Sequence, residues 1–100
     1  MNVLTQNIEQ IKEICTGNRV KSLFAFGSIT RNTLKPDSDI DLIVELEDKD
    51  PLIYSDHYFD LKEKLEKLLH RRIDLLEEKA IKNRFLRQEI DRTKVLVYAK

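Results

Sequence analysis

Apolar positions recur in this chain first with a helical and then with a strand period. Leu4, Ile8, Ile11 and Cys15 stand three or four apart, which predicts an amphipathic helix stopped at Thr16-Gly17-Asn18. Val20–Phe26 (VKSLFAF) reads as a short strand ended by Gly27, and Asp39–Leu46 (DIDLIVEL) as a second strand of alternating character. The stretch from Glu47 to Ser55 holds Asp48, Asp50 and Pro51 and reads as a loop. Tyr58, Leu61, Leu65 and Leu68 mark a second long helix, and Arg72–Glu77 (RIDLLE) a third strand. Ile81, Phe85 and Ile90 suggest a third helix, and Val95–Tyr98 a closing strand. The order is α-β-(short α)-β-α-β-α-β. It predicts an α/β fold, a single domain over residues 1–100 with a β-sheet flanked by helices, in which not every strand need be parallel.

A chain of 100 residues has room for one core. Lysine plus arginine balances aspartate plus glutamate, so no broad electrostatic footprint for nucleic acid or an anionic membrane is present. Any phosphate chemistry must then be local. One cysteine excludes an internal disulfide and suits a reducing cytoplasm. No apolar run approaches the roughly 20 residues a bilayer span needs, and the N-terminus MNVLTQNIEQ does not read as a signal peptide.

Candidate chemistry begins at Asp39 and Asp41, two apart on a predicted strand. Side chains at that spacing share one face, with Cα atoms roughly 6.5 Å apart. Ile40 and Leu42 point the other way, into the core. Two carboxylates this close repel unless a cation neutralises them, and oxygen-only ligands suit Mg²⁺ or Mn²⁺ rather than zinc. An EF-hand reading of Asp37, Asp39 and Asp41 fails, because Leu42 stands where the turn needs glycine and Asp48 where glutamate belongs. Gly27-Ser28 follows a strand. Glycine lets backbone approach a ligand, a capping serine offers its hydroxyl, and free N–H groups attract anions. Arg31 could add a phosphate contact. Asp74 is a lone acid between Ile73 and Leu75, where an unpaired buried charge would be costly. A salt bridge to Arg71 or Arg72, or a strand facing water, is the structural alternative.

Taken together, Gly27-Ser28, ten intervening residues and Asp39-Ile40-Asp41 form a G-S-x10-D-x-D pattern. It resembles the signature of the polymerase-beta-like nucleotidyltransferase superfamily, and most of all its minimal nucleotidyltransferases. Arg31, Ser38 and Leu42-Ile43-Val44 belong to the match, and RRIDLLEEKAIKNRFLRQEIDRTKVLVYA is similar to the family's C-terminal half. Relatives commonly have glycine where Asn32 follows Arg31 here, which bears on the loop geometry behind Arg31. The resemblance implies a palm-like nucleotidyltransferase fold with a mixed sheet. It implies that Gly27, through its N–H, and Ser28 hold an NTP triphosphate with Arg31. It implies that Asp39, Asp41 and Asp74 bind two Mg²⁺ (or Mn²⁺) ions, with Asp74 also able to act as general base.

The activity it implies is transfer of a nucleoside monophosphate, AMP from ATP, to a hydroxyl. A domain this small leaves little room for a second substrate, so the expected acceptor is a partner protein. The resemblance points to a HEPN toxin, with this chain as its antitoxin. Two alternatives stand beside that reading. One is a binding module that neutralises its partner by contact. The other is a small-molecule (aminoglycoside-type) nucleotidyltransferase, which would need a further domain or a homo-oligomer. His57, His70 and Cys15 read as structural, and Tyr54, Tyr58 and Phe59 as candidates for stacking or for their helix's core.

Overall fold

The computed structural model describes residues 2–31, 33 and 35–100, with Asn2 given by its backbone alone. Asn32, the departure noted above, lies outside the described residues. The elements are α1 (Asn2–Gln6), α2 (Ile8–Gly17), β1 (Val20–Phe26), a 3-10 turn (Gly27–Arg31), β2 (Ile40–Leu46), α3 (Pro51–Leu69), β3 (Ile73–Glu77), a second 3-10 turn (Glu78–Ala80), α4 (Arg84–Thr93) and β4 (Val95–Ala99).

The first predicted helix forms in two pieces. Asn7 lies at the break, and its side-chain amide donates to the Val3 carbonyl at 2.8 Å. Asparagine competes for backbone groups in this way and interrupts regular helix. The predicted loop Glu47–Ser55 is corrected more substantially, because α3 already starts at Pro51. The Asp50 carboxylate accepts the N–H groups of Leu52 at 2.9 Å and Ile53 at 3.5 Å. Pro51 fills a first-turn position that needs no donor. Asp-Pro here starts a helix rather than breaking one. Likewise Asn83 caps α4 through Phe85 and Leu86 N–H, which leaves Ile81 ahead of the helix and Phe85 exposed.

The sheet runs β3-β2-β1-β4. β1 is antiparallel to both β2 and β4, while β2 and β3 pair in parallel across the α3 connection. The sheet is therefore mixed, as expected. Strand alternation sorts its residues onto two faces. Leu23, Ala25, Ile40, Leu42, Val44, Ile73, Leu75 and Val97 form the larger core with Leu4, Ile11, Cys15, Leu61, Leu65 and Leu69 from α1, α2 and α3. On the other face a smaller core of Phe26, Ile43 and Ile90 seats α4, with Phe24, Leu76, Ile81 and Leu86 around it. Cys15 is buried in the larger core, and burial pushes its thiol up to about 12, so it stays an inert apolar side chain. Among the described residues no helix is long and apolar enough to cross a membrane.

Candidate active site

Ile40 and Leu42 point into the larger core, so Asp41 between them faces the α4 side of the sheet. In the ladder Asp41 stands opposite Phe26 on β1 and opposite Asp74 on β3. Parallel pairing in that register brings the two carboxylates side by side on neighbouring strands. Asp39 precedes β2 by one residue and is exposed. Both of the other acids act on Asp41. Partial burial is the largest cause that lifts the Asp41 carboxyl to about 6, and the charges of Asp74 and Asp39 lift it further.

Asp74 is itself exposed, so the expectation that its charge is costly because buried is corrected. Its neighbours Ile73 and Leu75 are buried on the opposite face, which turns Asp74 outward. The alternative of an Arg71 or Arg72 salt bridge is not realised. Among the described residues no Lys, Arg or His pairs with Asp39, Asp41 or Asp74, although many of the chain's other acids are paired.

An all-oxygen set of unpaired, mutually repelling carboxylates fits hard divalent cations by its chemistry. It is not closed into a coordination shell. Among the described residues no three His, Cys, Asp or Glu side chains gather tightly enough to hold a metal ion. Like charges on adjacent strands keep apart unless a cation draws them together.

The Gly-Ser turn meets the acidic pair directly. Gly27 has φ +74°, and a Cβ built on it would lie 2.8 Å from Asp41 Oδ2. Glycine is required twice here, for the left-handed backbone and for the space beside the carboxylate. Its N–H is already taken, however. It donates to Thr93 Oγ1 at 3.0 Å, while that hydroxyl donates to the Glu89 carbonyl at 2.8 Å. A phosphate contact from the Gly27 N–H would thus exchange with Thr93; in this structure Gly27 gives the turn its shape and its donor anchors the turn to α4. The Ser28 hydroxyl makes no hydrogen bond among the described residues, and the Ser28 carbonyl accepts Thr33 N–H at 3.1 Å. Arg31 Nη1 donates to Glu89 Oε1 at 2.7 Å, and Glu89 also binds Arg92. A phosphate contact from Arg31 would thus exchange with a carboxylate on α4.

Two residues of this neighbourhood are unmarked in the sequence, and a third, Arg71, reads there only as a salt-bridge partner for Asp74. Glu89 and Thr93 stand four apart on α4, one face of a helix, and that spacing was the available signal. Arg71 Nη1 donates to the carbonyls of Lys35 and Ser38, each at 2.8 Å. Its partners lie more than thirty residues away, so no local pattern announces it. The histidines and aromatics prove structural where the structure engages them. His57 Nδ1 lies 2.6 Å from Asp48 Oδ2, Tyr54 is buried beneath the Lys79 ammonium, and the Tyr58 hydroxyl donates to the Leu75 carbonyl. Phe59 remains exposed.

Comparison with known proteins bears on this arrangement. Residues 9–100 match the family described as Polymerase beta, Nucleotidyltransferase. The protein adenylyltransferase MntA of Thermococcus cleftensis is 32% identical over 84 residues, covering 76% of this chain and 82% of its own. MJ1379 of Methanocaldococcus jannaschii, a candidate protein adenylyltransferase, is 32% identical over 100 residues, covering 92% of this chain and 99% of its own. A solved structure of a candidate minimal nucleotidyltransferase superposes with a TM-score of 0.76 at 29% identity, covering 95% of each chain. A chain from a complex of a tri-AMPylated Shewanella oneidensis HEPN toxin with its MNT antitoxin shares the fold, with a TM-score of 0.65 at 20% identity and coverage of 97% and 73%. With the family matched across nearly its whole length and the Gly-Ser turn seated against the acidic strand, the chain belongs to the polymerase-beta nucleotidyltransferase family and resembles its minimal nucleotidyltransferases.

Proposed function

We propose that this chain transfers AMP from ATP to a hydroxyl of a partner protein, and that the partner is a HEPN-type toxin which the chain inactivates as its antitoxin. The observation that carries this is the close approach of Gly27 to Asp41, too tight for an added Cβ, with Asp74 in register beside Asp41. That approach brings the turn that would receive a triphosphate beside the carboxylates that would manage its charge. The named relatives support the chemistry at the level of protein adenylylation.

Asp39, Asp41 and Asp74 would hold two Mg²⁺ ions, for which Mn²⁺ could substitute. When bound, such ions neutralise the triphosphate and make the acceptor hydroxyl more acidic. The acceptor oxygen forms a bond to the α-phosphorus, the bond to the bridging oxygen breaks, and pyrophosphate leaves. Asp74, exposed on β3, takes the acceptor's proton as general base. Asp41, with a pKa of about 6, is ionised at neutral pH and available as a ligand. The Ser28 hydroxyl donates to the phosphates, and Arg31 reaches them by leaving Glu89.

The test is a transfer assay. Protein, α-labelled ATP and Mg²⁺ are incubated with and without the product of the neighbouring gene, and label and intact mass are followed. The expected result is a mass gain of AMP on that neighbour, abolished by Asp39→Asn. A tight complex without transfer would replace this reading with neutralisation by contact. Neither transfer nor complex would point to a small-molecule acceptor.

A further inference from the structure

Asp39 stands outside the ladder that fixes Asp41 and Asp74, because β2 begins at Ile40. Its position depends on the peptides on either side of it. The carbonyl of Ser38, joined directly to the Asp39 nitrogen, accepts Arg71 Nη1 at 2.8 Å. The N–H of Ile40, on the other side, donates to the Arg72 carbonyl at 3.0 Å. The same Arg71 nitrogen also holds the Lys35 carbonyl at 2.8 Å. The turn it grips is closed internally by Ser38 N–H to the Lys35 carbonyl at 3.0 Å and Lys35 N–H to Ser38 Oγ at 3.3 Å. Elsewhere the two segments, Pro36–Asp39 and His70–Arg72, face one another across a cleft of about 190 Å³. Side-chain packing therefore does not substitute for these bonds. Arg71 makes no ion pair among the described residues, and its Nη1 is committed to the two backbone carbonyls.

We propose that Arg71 is a positioning residue for the metal site. It holds the Lys35–Ser38 turn against the start of β3, the strand that carries Asp74, and thereby sets Asp39 relative to the other two carboxylates. The inference rests on the reading of Asp39 as a metal ligand. Residues that orient ligands in this way typically change metal affinity 10–100-fold when removed. Both bonds come from one nitrogen, and an ammonium on a differently shaped stem also carries several donors on one nitrogen, so lysine should replace it in part.

Two measurements on the full chain test this. The first is Mn²⁺ binding, followed by the electron paramagnetic resonance of free Mn²⁺ in the presence of a non-hydrolysable ATP analogue. Wild type, Arg71→Ala, Arg71→Lys and Arg72→Ala are compared. The second is hydrogen exchange of the Ser38 amide by NMR, which needs neither metal nor activity. Arg71→Ala should bind Mn²⁺ about tenfold more weakly and exchange the Ser38 amide faster, measured at a temperature where the variant is fully folded. Arg71→Lys should be intermediate, and Arg72→Ala, which removes the same charge next door, should match wild type. Wild-type affinity in Arg71→Ala would overturn the inference alone. An equal loss in Arg72→Ala would also overturn it, by reducing the effect to charge. A wild-type protein that binds no Mn²⁺ would overturn the metal reading and this inference with it, while Ser38 exchange would still report whether the tether exists. Should Arg71→Ala fail to fold, Arg71→Lys carries the same comparison.

Discussion

The chain has two glycines, and replacing each by alanine should move stability in opposite directions. At Gly27 the backbone has φ +74°, and the new Cβ would stand 2.8 Å from Asp41 Oδ2, 3.8 Å from its Cγ and 3.9 Å from its Cβ. The left-handed backbone costs an L-residue roughly 1–2 kcal/mol. The Asp41 carboxylate is the end of a side chain and can rotate away, at up to about 1 kcal/mol for an off-rotamer angle. Against this, alanine restricts the unfolded chain and returns about 0.4–1 kcal/mol. The net loss is about 1–2 kcal/mol, which in a domain of this size lowers Tm by roughly 5–15 °C. At Gly17, the last residue of α2, nothing lies within 4 Å of an added Cβ. Alanine there should stabilise by roughly 0.5–1 kcal/mol through helix propensity. Thermal melts and urea titrations of the three proteins with unchanged m-values decide the matter. A Gly27→Ala protein melting at or above wild type would refute the account of the turn. Its transfer activity should also fall under conditions where it is fully folded, because the displaced carboxylate is a proposed ligand.

Asp41→Asn should raise the stability of the metal-free protein while abolishing transfer. The folded-state carboxyl sits at about 6 rather than 3.8, so the folded state binds the proton more tightly. That contribution is present at acid pH and is lost as pH rises from about 4 through about 6. The full shift would be about 3 kcal/mol, and solvent around a half-exposed group reduces it to on the order of 1 kcal/mol. The variant's advantage in urea midpoint should therefore appear at pH 7 and vanish near pH 4; an advantage independent of pH would sink the electrostatic explanation. Thr93→Val leaves the buried Gly27 N–H without its acceptor and should cost about 1–3 kcal/mol, seen as a lower urea midpoint. A neutral result would mean the turn finds another partner. Asp50→Ala removes the cap of α3 and should cost about 1 kcal/mol, and an unchanged midpoint would show that Pro51 alone starts the helix.

Periodicity exposed most of the fold because each strand alternates against a large core. Ile40 and Leu42 are buried and Asp41 turned away, as the pattern of DIDLIVEL requires. The start of α3 is ambiguous in the sequence because Asp50-Pro51 carries two meanings, a turn and an N-terminus. Only the capping bonds to Leu52 and Ile53 distinguish them. At the candidate site, the pairing of a Gly-Ser turn with the Asp39-Ile40-Asp41 run was legible because both lie within one short stretch of chain. Of the two reasons that single out Asp74, the resemblance and the cost of a buried charge, the second does not hold, since it is exposed. Its pairing with Asp41 comes from strand register, which one strand's sequence does not state. Arg31's engagement with Glu89 and Gly27's with Thr93 depend on where α4 lands, across a separation of 58 and 66 residues.

The placement of α4 therefore bears on the chemistry as well as on the fold. The buried residues that seat it on the second face are Phe26, Ile43 and its own Ile90. Phe26 is the residue before Gly27, and Ile43 is two residues after Asp41 on the same strand face. A small core with three buried members has little capacity to absorb a change of volume, because interiors are close-packed and strain is passed on. Repacking there would shift α4, and with it Thr93 on the Gly27 N–H and Glu89 on Arg31. Tightening the same contacts would fix the turn against the carboxylates. The larger core on the opposite face holds the domain together, whereas the smaller one sets how firmly the Gly-Ser turn is held against Asp41.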